Sequence, residues 1–244
     1  MKIDINSDVG EGVGNEEVLV PLISSCNIAC GGHAGDENSI RQVIRIAKSN
    51  AVLIGAHPSY PDKENFGRKT MILSKESLIE VLQKQLQLFF SIAKEENATV
   101  HHIKAHGALY NDSAVHIDLA QAYLEAIAPF SDSIIVYVPY NSIIAQEALK
   151  KGIKVAYETF LDRNYNSDGS LVSRHQDTAL IEKPEKVLEH LLFILKEHKI
   201  KTLNGTLINT HSDTFCIHGD TVSALKILMY LHNELPKYNI QINP

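Results

Sequence analysis

The stretches Lys2-Ile3-Asp4-Ile5-Asn6-Ser7-Asp8 and His102-Ile103-Lys104-Ala105-His106 decide the fold. Both read as strands, and side chains along a strand point alternately to its two faces. Asp4, Asn6 and Asp8 therefore share one face, with Ile3 and Ile5 on the other. His102, Lys104 and His106 likewise share a face opposite Ile103 and Ala105. Strands of an open α/β sheet are covered by helices on both sides and read as apolar throughout, whereas a barrel turns one parity toward the helices and the other toward its lumen. Polar parity in two strands predicts an irregular β/α barrel with a polar lumen.

Working outward from these stretches, short and often β-branched runs recur near 25–30, 52–56, 100–105, 133–138, 153–158, 205–209 and 214–217, as strands do. Helical patterns separate most of them. After Asp36, a plausible N-cap, Ile40, Val43, Ile44 and Ala47 recur at helical spacing; after Ser74, Leu78, Leu82, Leu86, Phe89 and Ala93 do the same. Asp220 is a candidate cap for a helix bearing Val222, Leu225, Leu228 and Met229. The β-α-β-α order predicts a mostly parallel sheet. The length suits one barrel over residues 1–244, with no Pro/Gly/Ser-rich linker to divide it. No period of ~20–50 residues repeats, which excludes a solenoid.

A net charge of −6 and a pI of about 6.0 leave no basic face for neutralising phosphates, so nucleic acid is excluded as a partner. The N-terminus enters a strand directly, and no apolar run approaches the roughly 18 residues of a membrane helix. The expectation is a soluble, cytoplasmic protein. Cys26, Cys30 and Cys216 are an odd count in apolar surroundings, which suits a reducing compartment. A zinc site at Cys26, Cys30 and His33 would lack a fourth ligand.

Parallel strands gather their C-terminal ends on one face, and there the chemistry concentrates. Asp8 and Glu11 follow the first strand among glycines and offer a general base or metal ligands, or simply a turn-binding Asp and a solvated Glu. His33 and Asp36 follow the second; Asp36 reads as a cap before it reads as a catalyst. His57 precedes Pro58, which with Pro61 stiffens the loop that continues to Arg68. Lys104 in an apolar strand must pair with a carboxylate or titrate low, as functional lysines do. Its structural alternative is a fold-specifying pair with Asp4 or Asp8. Glu158, Asp162, Arg163 and Tyr165 follow the sixth strand; an Arg fork there, or Arg174, could clamp a carboxylate. His218 and Asp220 close the set. No phosphate loop, dinucleotide fingerprint, nucleophile elbow or HisGluXXHis pair is present. The remaining chemistry is water activation and carbonyl polarisation, hence hydrolysis of a C–N bond.

Taken in order, DINSDVGE (4–11), NIACGGHAGD (27–36), GAHPSYPD (55–62), FGR (66–68), KAHGALYN (104–111), ETFLDRNY (158–165) and HGD (218–220) resemble the LamB/YcsF family over residues 2 to about 220. Three positions depart from the family's pattern: Ser7 replaces a cysteine, Ala105 a proline, and Gly32 an aromatic, the last expected to enlarge the pocket. The resemblance implies a TIM-like barrel of the seven-stranded type, similar to glycoside hydrolase and deacetylase barrels. It implies ATP-dependent hydrolytic opening of 5-oxo-L-proline to L-glutamate, with two partner subunits, B and C, and an ATP site on or shared with a partner.

Carried onto this chain, the family's signature makes Asp8, Glu11, His33, Lys104, His106 and Glu158 candidate catalytic residues. Asn6, Arg68, Asn111, Asp162, Arg163, His218 and Asp220 become candidates for substrate binding, Arg163 as the carboxylate clamp. Related deacetylase barrels imply a divalent metal, for which Asp8, His57 and His106 are the best-placed trio. Two rival readings are a metal-dependent deacetylase or amidohydrolase needing no ATP, and a non-catalytic subunit that presents the lactam to a partner.

Overall fold

The computed structural model describes residues 1–130 and 134–243. Its strands are β1 (Lys2–Val9), β2 (Ser25–Ala29), β3 (Leu53–His57), β4 (Val100–Lys104), β5 (Ile135–Pro139), β6 (Lys154–Phe160), β7 (Lys199–Lys201), β8 (Leu207–Asn209), β9 (Thr214–Cys216) and β10 (Gln241–Ile242). The helices are α1 (Glu16–Leu19), α2 (Glu37–Ser49), α3 (Lys75–Glu95), α4 (Gly107–Val115), α5 (Ile117–Ile127), α6 (Ile143–Lys150), α7 (Pro184–Glu197) and α8 (Ala224–Glu234). Strands β1 to β6 pair side by side in parallel, β9 follows β6, and β9 pairs back onto β1. Seven parallel strands thus close into a barrel, and β10 adds beside β1 at its N-terminal end.

The strand parity works as the sequence indicates. Ile3, Ile5 and Ile103 are buried among the surrounding helices, while Asn6, Asp8 and Lys104 are buried and joined to one another within the lumen, with His102 linked to them through Asn27. Around the barrel, α2 buries Ile40, Val43, Ile44 and Ala47, at about 1.5–3 kcal/mol for each large side chain. Asp36 caps it: its carboxylate accepts from Ser39 N, and the Ser39 hydroxyl reciprocates at the Asp36 backbone. Ser74 caps α3 with its hydroxyl, which accepts from Ser77 N. Among the described residues no helix is long and apolar enough to cross a membrane.

Three expectations change. The run near 205–209 becomes β8, which pairs antiparallel with β7 outside the barrel, because the barrel already closes through β9. The run near 133–138 begins at Ser133, outside the described residues, and its strand starts at Ile135. Asp220 caps no helix: α8 begins at Ala224 behind Ser223, since two arginines draw the Asp220 carboxylate away. The buried face of α8 is accordingly Ala224, Ile227, Leu228 and Leu231, leaving Val222 and Met229 exposed.

One glycine sets the lumen's width. The β3–β4 register shifts between Ile54 and Gly55, where the His102 ring crosses the β3 backbone. A Cβ at Gly55 would meet that ring at 2.1–2.4 Å. The ring cannot retreat, being stacked on Tyr137 with centroids 4.0 Å apart. Gly55→Ala is expected to cost about 3 kcal/mol, at the upper end of overpacking penalties; a urea midpoint matching the wild type would show that the lumen yields instead.

Candidate active site

The lumen is built around Lys104 Nζ. It lies 3.0 Å from Asp8 Oδ1, 3.3 Å from Asn6 Oδ1, 3.3 Å from Cys216 Sγ and 2.8 Å from Glu158 Oε1. Burial alone would lower the ammonium's pKa, but Asp8, Cys216 and Glu158 outweigh it and hold Lys104 well above the ordinary lysine value. Burial likewise opposes ionisation of Asp8, and His57 and Lys104 override it, holding the carboxyl well below its usual range. Asn27 locks this arrangement, donating to Asn6 Oδ1 and Asp8 Oδ1 at 2.8 Å each and accepting from His102 Nε2 at 2.7 Å. Neither oxygen of Glu158 receives a directed hydrogen bond. The Tyr110 hydroxyl, also without a partner, lies within its influence: burial and then Glu158 push the phenol well up.

Three histidines and Glu11 stand where β1, β2, β3 and β4 end. His57 Nδ1 lies 2.8 Å from the Lys104 carbonyl, and His106 Nε2 lies 2.9 Å from the Phe66 carbonyl. A carbonyl only accepts, so each ring nitrogen there carries the proton. The opposite nitrogens, His57 Nε2 and His106 Nδ1, face one another at 3.0 Å. Two lone pairs at that separation require a positive charge between or beside them. Asp8 Oδ2 is 3.4 Å from His57 Nε2. Glu11 Oε1 is 3.3 Å from His106 Nδ1 and 2.8 Å from His33 Nε2. Burial, then Asp8 and Asp220, push Glu11 well up, while burial and His57 push His33 down to about 2.

Above this floor opens a cleft of about 750 Å³. Its walls include Phe66, Asn111, Phe160 and Arg163, and its rim carries Arg68, Arg174 and His218. Arg68 and Arg174 both reach Asp220 Oδ2, Arg174 at 3.3 Å. Asp162, kept ionised against burial by His218, accepts from the His218 backbone N–H at 2.9 Å and from its Nδ1 at 3.0 Å, aiming that ring into the cleft.

The match of the LamB/YcsF family model spans residues 3–244. The chain belongs to the LamB/YcsF family. It is 42% identical over 246 residues to the 5-oxoprolinase A subunit of Campylobacter jejuni subsp. doylei, covering 99% of this chain and 96% of that protein. It is 39% identical over 249 residues to the 5-oxoprolinase A subunit of Pyrococcus horikoshii, covering 100% and 98%. A crystal structure of the lactam utilization protein from Thermus thermophilus superposes with a TM-score of 0.90 at 32% identity, covering 100% of this chain and 99% of that one.

In this LamB/YcsF chain the sequence-derived candidates divide into three groups. Asn6, Asp8, Lys104 and Glu158 meet in the lumen; Glu11, His33, His57 and His106 meet at its mouth; Arg68, Asn111, His218 and Asp220 stand at the cleft or its rim. Arg163 lines the cleft, but its guanidinium donates to the carbonyls of Val172 and Ala179, so it anchors the 172–179 segment rather than presenting a free fork. Burial and the neighbouring Arg174 push it down to about 10. Of the expected metal trio, His57 and His106 meet directly, while Asp8 Oδ1 is taken by Lys104 and Asn27; Glu11 and His33 complete the group at the mouth.

Gly32 does not widen the cleft, because a Cβ there would meet Gln85 Oε1 and Ser59 Oγ at 2.4 Å: Gln85 fills the space. Cys26 and Cys30 are thiols pushed up to about 12 by burial, and neither joins a metal-donor group among the described residues. Asn27, Tyr110 and Cys216 were not singled out from the sequence as site residues. The alternation of Ser25 and Asn27 with Cys26 and Ile28 carries the same polar parity as β1 and marks Asn27; nothing local marks the other two.

Lys104→Met leaves two carboxylates facing each other without a counter-charge, which is expected to cost about 3–5 kcal/mol. Adding Glu158→Gln removes one of them and should restore part of that loss. Equal denaturant midpoints for the single and double variants would show that the Lys104–Glu158 contact carries no coupling.

Proposed function

We propose that this chain is the lactam-opening member of a 5-oxoprolinase, hydrolysing 5-oxo-L-proline to L-glutamate in a reaction coupled to ATP and shared with two partners, the B and C subunits. Supporting this reading are the names of full-length relatives and one structural observation: an ionised carboxylate, a lysine and a histidine converge on the floor of a cleft whose rim carries two arginines paired with Asp220. A cyclic amide with a neighbouring carboxylate needs both features.

In this reading Arg174 and Arg68, loosened from Asp220, receive the substrate carboxylate, a role their side-chain pairing at the rim suits better than the anchored Arg163, whose guanidinium is held by backbone carbonyls. The lactam is resonance-stabilised and its ring re-forms readily. Phosphoryl transfer from ATP to the lactam oxygen, with ADP leaving, makes the ring carbon electrophilic. Water adds to it, passing a proton toward the Asp8–His57 pair, and the C–N bond breaks with a proton delivered to nitrogen. A second water then hydrolyses the acyl phosphate. Lys104 stabilises the oxygen charge that develops. The ATP site is placed on, or shared with, a partner.

The test is glutamate release from 5-oxo-L-proline by this chain mixed with its two candidate partners, with and without ATP. Asp8→Asn is expected to lower kcat by about 100-fold or more, with circular dichroism unchanged. Arg174→Ala is expected to raise KM about 10-fold with a smaller change in kcat, as for a group that binds ground and transition states alike. Near-normal turnover in Asp8→Asn would favour a lactam-presenting role, and release without ATP or partners would favour a metal-dependent amidohydrolase.

A further inference from the structure

The four groups at the barrel mouth are arranged for an ion. We propose that Glu11, His33, His57 and His106 bind a divalent transition-metal ion with borderline nitrogen and oxygen ligands, of the zinc, cobalt or nickel kind. All four donor atoms lie within 4.8 Å of one another. A tetrahedral ion with bonds of about 2.0–2.1 Å separates its ligands by about 3.3 Å. The observed separations are 3.0 Å for His57 Nε2 to His106 Nδ1, 3.3 Å for His106 Nδ1 to Glu11 Oε1, and 2.8 Å for Glu11 Oε1 to His33 Nε2. Shifts of a few tenths of an ångström suffice between these pairs.

The surroundings of the rings are those of ligands. A metal-bound imidazole nearly always donates its remote N–H to a carbonyl or carboxylate, which fixes the tautomer and aims the lone pair. His57 does so to the Lys104 carbonyl and His106 to the Phe66 carbonyl. The second carbonyl is supplied at a strained position: Phe66 adopts φ +55°, a conformation that costs a side-chain-bearing residue energy and persists only where the surroundings enforce it. Gly67, at φ +63°, then packs so closely that a Cβ would lie 3.0 Å from both the His106 ring and His33. The turn at 66–67 therefore fixes the His106 ring and abuts His33 only at its Cβ, leaving that imidazole free to turn. His33 is the adjustable member. Its Nδ1 has no partner, so the proton can move there and free Nε2 as a ligand. Its ring lies flat on His106 with centroids 3.6 Å apart, so it must tilt for both lone pairs to point at one ion.

A proton shared between His57 and His106 would also relieve their facing lone pairs. It would leave unexplained why Glu11 and His33 converge on the same point, and it would place an imidazolium among three buried rings. A divalent ion uses all four groups. Asp8 Oδ2, 3.4 Å from His57 Nε2, stands beside the ion and contributes a second negative charge. The inference does not rest on the lactam reading. If both hold, the ion supplies Lewis-acid chemistry beside Asp8 and Lys104.

The test uses the whole chain, stripped with chelator and titrated with cobalt(II) or zinc without substrate. Expected are one ion per chain by calorimetry and, for cobalt, visible d–d absorption of a four-coordinate ion without a thiolate charge-transfer band. His57→Gln and His106→Gln should each weaken binding by about 100-fold or more, whereas the exposed His211→Gln should bind as wild type. The wild-type spectrum decides the matter even if a variant misfolds. A thiolate band would move the ion to the neighbouring group of Asp8, Cys216 and His218 and overturn the assignment. Absence of stoichiometric binding would overturn it as well, and would assign the His57–His106 contact to a proton. Glutamate release, measured separately, tells failure of this site from failure of the lactam reading.

Discussion

A lysine ammonium buried in a closed parallel barrel is the constraint on which the remaining structure depends. Its charge cannot be left bare at that depth, so every element whose lumen face reaches it must supply a compensating group: Asn6 and Asp8 from β1, Glu158 from β6, Cys216 from β9. Those contacts bind the first strand to the sixth and ninth, the seam at which the barrel closes. The charge at the centre of the candidate site thus also ties the barrel together at its closure. Replacing the whole network by apolar side chains could make a more stable barrel, as buried ion pairs often show, but it would leave no reactive floor.

Around this charge the protein separates two kinds of proton chemistry. Asp8 is held ionised beside Lys104, while burial and like neighbours push the Glu11 carboxyl up and His33 and His106 down. Two backbone carbonyls then fix which nitrogen of His57 and of His106 carries its proton. Backbone acceptors are suited to that task because they belong to the scaffold and do not titrate. Loops do the rest: the 66–68 turn supplies one carbonyl and Arg68, and the 172–179 segment, pinned by Arg163, carries Arg174 to the rim.

Much of this was legible beforehand. The alternation of Asp4, Asn6 and Asp8, and of His102, Lys104 and His106, gave away the barrel and its polar lumen, because strand periodicity is a local property of sequence. Caps at Asp36 and Ser74 were readable for the same reason. The pairing of Asp220 is not legible locally, because its partners, Arg68 and Arg174, lie 152 and 46 residues away. Nor is the filling of the space beside Gly32 legible locally, because Gln85, which occupies it, sits on a different element.

By itself, then, the sequence determined the alternation of strands and helices, the faces of β1 and β4 that carry polar groups, and the set of residues gathered at the C-terminal ends. Only the tertiary structure decided how that set is partitioned: Asp8 toward Lys104, Glu11 and His33 toward His57 and His106, the Arg163 guanidinium toward the carbonyls of Val172 and Ala179. Spacing along a strand fixes direction and face, whereas partnership depends on barrel closure and on a few ångströms of separation between strands far apart in the chain. Those distances exist only once β9 has paired with β1.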